Sequence, residues 1–137
     1  PVGSMVAGTK TFIERARKNR KLMGGGMRQA GILAAAGIIA LEKMTKRLHV
    51  DHENAAYMAE RLSRIPGVKV KEDRLDIDMV FFEMGPEVVD EQKLIDHFFK
   101  NGIKICGTED GEWRFVTNVD VSREDVDYMI EKLRECL

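Results

Sequence analysis

The sequence predicts an α+β chain: a small antiparallel sheet with helices on one face, preceded by long helices and one strand. Three observations predict it. Apolar residues recur at helical spacing as far as Ile65, where Pro66-Gly67 breaks the pattern. Beyond that point, short alternating stretches such as Val68-Lys69-Val70-Lys71 have the two-residue period of strands. Two further helical stretches lie among and after those strands, which makes the second half ββαββα.

Each element has its own local reason. Val2 to Ala7 reads as a short strand ended by Gly8. Thr9 is a suitable N-cap for a basic helix running to about Leu22, with Phe12, Ile13 and Ala16 on one face. Gly24-Gly25-Gly26 breaks that helix. A second helix is expected from Arg28 to Arg47. Its middle is apolar nearly all round and rich in small residues (Gly31, Ala34, Ala35, Ala36, Gly37), so burial against close neighbours is expected. A third, from Asp51 to Ile65, carries Ala55, Met58, Ala59, Leu62 and Ile65 on one stripe.

Met79 to Met84 reads as a stronger strand. Asp90 to Lys100 reads as a helix with Leu94, Ile95, Phe98 and Phe99 on one side, closed by Asn101-Gly102. Ile103 to Cys106 and Trp113 to Val116 are expected strands. Ser122-Arg123-Glu124-Asp125 has the form of a capping box, and the last helix places Val126, Met129, Ile130 and Leu133 inward. The opening strand has no neighbouring strand close in sequence, and a lone strand cannot satisfy its backbone groups. A partner strand from another segment is therefore expected.

Composition narrows the function classes. The chain has 22 basic and 23 acidic residues among 137, so net charge makes no case for nucleic acid or an anionic membrane surface. The longest apolar run, Ala30 to Leu41, is shorter than the roughly 20 residues a membrane span needs. Cys106 and Cys136 do not make a disulfide framework, which points to a reducing, cytoplasmic setting. Charge distribution says more than its sum. From Lys10 to Arg28 seven basic residues face the single acid Glu14, and acids dominate after Thr108.

Two constellations suit anions. The first is the loop Arg20-Lys21-Leu22-Met23-Gly24-Gly25-Gly26-Met27-Arg28-Gln29. Its glycines let backbone amides approach a ligand, the following helix presents unpaired N–H groups, and Lys21 and Arg28 flank it with positive charge. It reads either as a cradle for a phosphate or carboxylate or as a flexible helix connection. The second is Arg114, on one strand face with Val116. It reads either as a bidentate clamp on a carboxylate or as a snorkelling or salt-bridged arginine. His49 and His52, three apart beside Asp51 and Glu53, read as a solvated helix face or a metal pair without a metal motif. No acid pair, serine triad or zinc set is present, so no catalytic residue and no metal ligand is assigned within the chain.

The motifs Pro1-Val2-Gly3-Ser4, the glycine loop with its continuation through Gly37, Asp51-His52-Glu53-Asn54-Ala55, and Arg114-Phe115-Val116-Thr117-Asn118-Val119-Asp120-Val121-Ser122 occur in that order. Together they resemble the C-terminal portion of the low-specificity L-threonine aldolases, over essentially the whole chain. The resemblance implies the C-terminal small domain of a fold-type-I pyridoxal 5′-phosphate (PLP) enzyme, with residues 1–27 ending the large domain, 28–48 connecting, and 49–137 forming the small α+β domain. It implies retro-aldol cleavage of threonine or allo-threonine to glycine and acetaldehyde.

The resemblance assigns Arg114 to the substrate carboxylate, and Lys21 and Arg28 to the neighbourhood of the cofactor phosphate. It places the cofactor-bearing lysine ahead of Pro1, so no PLP is expected to be covalently bound to this chain, and the chain alone is expected to be inactive. The expected partners are the N-terminal PLP-binding part, a small amino-acid substrate and further copies, tetramers being usual in the family. Asn118 departs from the pattern, since several members carry histidine there. The alternative reading is a non-catalytic α+β ligand-binding or dimerisation module.

Overall fold

The computed structural model describes residues 4–75 and 77–137. They form two compact units, one reaching to Lys46 and the other spanning Arg47–Leu137. The first unit contains α1 (Lys10–Leu22) and α2 (Gly31–Glu42). Thr9 caps α1 as its sequence predicts, its hydroxyl accepting from the Phe12 amide at 3.3 Å. Val2 and Gly3 of the expected opening strand lie outside the described residues, and Ser4 to Ala7 take no regular structure.

The expected Arg28–Arg47 helix is shorter than predicted. Gln29 adopts a left-handed backbone with φ of 49°, which a right-handed helix cannot include, so α2 starts at Gly31. It stops at Glu42, and a 3-10 turn over Met44–Arg47 follows. The expected burial of α2 is not found. No described residue of the first unit is buried, and Ile32 is 85% exposed. An all-apolar helix needs cover on every side, and the described residues of this unit supply no core for it.

The second unit holds the core. α3 (Leu48–Ser63) begins one turn earlier than predicted and buries Ala55, Met58, Ala59 and Leu62, with Ile65 just beyond. The sheet is β1 (Val68–Val70), β2 (Met79–Met84) and β3 (Trp113–Val116), antiparallel in that order. Val70 pairs with Phe82, and Phe81 pairs with Arg114. Strict alternation sends Val80, Phe82, Met84, Trp113 and Phe115 inward. The Phe82 ring stacks with Phe115 and Trp113 at centroid distances of 5.4 and 6.5 Å.

α4 (Glu91–Lys100) and α5 (Arg123–Arg134) complete this layer. α3 packs on β1, β2 and α5, and α4 packs on α5, so the helices cover one sheet face as predicted. α4 buries Leu94 and Phe98, but Phe99 is 79% exposed because it lies past the edge of their stripe. The capping box at α5 is present in full, with Ser122 and Asp125 exchanging backbone and side-chain hydrogen bonds.

The expected Ile103–Cys106 strand is not one. Ile105 is buried and Ile103 half-buried, so the alternation is real, but the segment joins no ladder. It is held instead through Thr108, whose amide and hydroxyl donate to the Glu91 carboxylate at 3.1 and 2.9 Å. Among the described residues no helix is long and apolar enough to cross a membrane.

Candidate functional site

The outer face of the sheet carries the candidate site. The alternation that buries Trp113 and Phe115 turns Arg114 outward, opposite Phe81 on β2. Arg114 opens into a concavity of about 590 Å³ that Phe81, Arg74, Lys104, Cys106 and Glu112 also line. None of the ion pairs formed among the described residues involves Arg114.

Three basic and acidic side chains near Arg114, namely Lys71, Arg74 and Glu112, are held in ion pairs of their own. Lys71 pairs with Glu83, and their hydrogen bond holds the Glu83 carboxyl below the usual carboxylate range while raising Lys71. Arg74 donates to Glu112 at 2.5 Å and lies over the Phe81 ring, with its guanidinium carbon 3.7 Å from the centroid. Glu112 is positioned by the tight Asp110-Gly111 turn, across which Glu109 and Glu112 exchange backbone hydrogen bonds of 3.0 Å. Sequence reasoning missed Arg74, Phe81 and Glu112. The Asp-Gly pair is a hairpin signal that locates Glu112, but nothing local announces its partner.

The glycine loop is built differently. Gly25 donates to the Arg20 carbonyl at 2.8 Å and Gly24 to that of Lys21 at 3.2 Å. This is the Schellman ending of α1, and the φ of 80° at Gly24 is the left-handed conformation it requires. Lys21 then folds across Gly26: a methyl group in place of the Gly26 hydrogen would sit 2.6 Å from Lys21 Cδ and 3.2 Å from Nζ. Arg28 is exposed just ahead of α2, whose first turn has no side-chain cap. Lys21, Arg28 and the uncapped amides at the start of α2 are groups of the kind that could hold a phosphate. Lys21 and Arg28 belong to the first unit and Arg114 to the second.

The histidines, the cysteines and Asn118 lie in separate surroundings. His49 and His52 are exposed, and no group of three or more possible ligands is arranged for a metal among the described residues. His97 pairs with Glu135 at 3.1 Å. Cys106 is exposed beside Arg114, while burial pushes the Cys136 thiol up. Asn118 is exposed and turns its carbonyl oxygen to the Asp120 amide at 2.9 Å, closing its own local turn.

A fold of this kind occurs in PLP enzymes. It matches a C-DES mutant with glycine covalently linked to its PLP cofactor, with a TM-score of 0.65 and 15% identity, over 79% of this chain and 29% of that one. The cysteine desulfurase CsdA of Escherichia coli also matches, with a TM-score of 0.65 and 13% identity, over 80% of this chain and 31% of that one.

The chain belongs to the beta-eliminating lyase family, whose model matches residues 1–84. Among its relatives, the low specificity L-threonine aldolase of Escherichia coli K12 is 44% identical over 92% of this chain and 36% of its own length. The low-specificity L-threonine aldolase 1 of Arabidopsis thaliana is 34% identical over all of this chain and 38% of its own length. The chain thus spans little more than a third of these relatives, and the resemblance read from its motifs is supported by them.

Proposed function

We propose that this chain is part of a PLP-dependent aldolase that cleaves L-threonine and L-allo-threonine to glycine and acetaldehyde. Arg114 carries the reading: it is an exposed guanidinium without an ion-pair partner among the described residues, set in a concavity where the nearby Glu112 is already matched. Such a group is a bidentate receptor for an α-carboxylate and fixes the orientation of an amino acid. Lys21 and Arg28 serve the cofactor phosphate, with the α2 amides completing the cradle. When bound, PLP supplies the electron sink for breaking the carbon–carbon bond. The proton-transferring and cofactor-linking groups come from the N-terminal part of the enzyme, so this chain alone is inactive. The working form is a cytoplasmic homo-oligomer, and residues 49–137 are the small domain that binds the substrate's carboxylate end.

The test is complementation. The chain and the N-terminal PLP-binding part of a relative are produced together, and acetaldehyde release from L-threonine and L-allo-threonine is followed with a coupled alcohol dehydrogenase. Cleavage is expected from the pair and not from the chain alone. A pair that binds PLP yet releases no acetaldehyde from either substrate overturns the reading.

A further inference from the structure

The role proposed for Arg114 raises a chemical difficulty. Glu112 stands two residues earlier, and in extended chain positions two apart share a face. A carboxylate that close ordinarily pairs with the guanidinium, and the receptor would neutralise itself. Here it does not. Glu112 is held by Arg74 at 2.5 Å, with Lys71 at 3.9 Å on its other oxygen. Arg74 in turn is seated on Phe81, the cross-strand partner of Arg114. Lys71 is also engaged with Glu83, so Arg74 is the principal restraint on Glu112.

We propose that Arg74 is a positioning residue that, seated on the Phe81 ring and holding Glu112, keeps the Arg114 guanidinium open for an incoming carboxylate. The inference rests on the carboxylate role of Arg114. It predicts that removing Arg74, which lines the same concavity, releases Glu112 onto Arg114 and closes the receptor from within.

The probe is sodium acetate, titrated into the full chain with sodium chloride at matched ionic strength as control. The side-chain Nε–Hε resonance of Arg114 is followed by NMR. The native chain is expected to respond to acetate beyond the chloride control. Arg74→Gln is expected to weaken that response about fivefold, the size of one exposed ion pair acting as competitor. In Arg74→Gln the Arg114 resonance is also expected to follow the titration of a carboxylate, and in the native chain it is expected not to. Adding Glu112→Gln is expected to remove that dependence and restore the response.

If Arg74→Gln binds acetate like the native chain, or if Glu112→Gln fails to restore it, the positioning role is wrong while the carboxylate role stands. If the native chain shows no response, and Arg114→Ala leaves the KM of the assembled enzyme unchanged, the carboxylate role itself has failed. Glu112→Gln alone guards against misfolding of the Arg74 variant. It is expected to bind acetate at least as well as the native chain, and weaker binding overturns the inference.

Discussion

Arg114 and Thr117 sit three residues apart and do opposite work. Arg114 faces solvent, where a charge-assisted bidentate contact contributes about 1.5–3 kcal/mol. Arg114→Lys keeps the charge and loses the fork, so in the assembled enzyme the KM for L-threonine is expected to rise about tenfold, with kcat changing less. Steady-state kinetics at saturating PLP check this. Thr117 is wholly buried, and its hydroxyl donates to the Asp51 carbonyl at 2.7 Å, joining α3 to the end of β3. Thr117→Val keeps the shape and removes this link between α3 and β3, at a cost of about 0.5–1.5 kcal/mol. Urea unfolding should show a lower midpoint with an unchanged slope.

At the scale of elements, caps and turns decide where chemistry sits. In α5 the hydrogen bonds from the Ser122 backbone and side chain hold the Asp125 carboxyl below the usual carboxylate range. A depressed carboxylate stabilises the fold above its unfolded pKa and loses that contribution as pH falls through its folded pKa. The first turn of α5 is therefore expected to fray at acid pH, below the ordinary aspartate range. Amide hydrogen exchange at Asp125 reads this, and Ser122→Ala should show the same fraying at neutral pH. In the glycine loop, Gly26→Ala displaces Lys21 from its place over the backbone. Looser PLP binding by the assembled enzyme is expected, with unfolding midpoints unchanged, because a flexible lysine moves at little cost.

Much of this level was legible in the sequence. The α3 stripe, β2, β3 and the capping box are dictated by residues within a few positions of one another. Ile103 to Cys106 was misread because alternation reports which side chains turn inward, not whether the backbone finds a ladder. The start of α2 was misread because one left-handed glutamine overrides a helical pattern. The Arg74–Glu112 pair was invisible because its partners are 38 residues apart and meet only when the sheet forms.

Across the molecule, burial is uneven. The described core lies wholly within Arg47–Leu137, while α2 presents an apolar surface that its own unit leaves uncovered. Hydrogen exchange is expected in two tiers, slow in α3, β2 and α5 and fast before Lys46. Leu133→Ala, at a fully buried position, is expected to cost about 2–5 kcal/mol in the slow tier and to leave the fast tier unchanged. The α+β class was legible from period alone, whereas the lack of cover on α2 was not, since an apolar helix predicts burial without naming the surface that provides it.

Trp113 is the only tryptophan, 1% exposed, adjacent to Arg114 but on the opposite side of its strand. Its indole nitrogen has no acceptor among the described residues. The chain thus carries an intrinsic fluorophore in the strand that presents Arg114, and its emission is expected to move to the red when that strand comes apart, without a label.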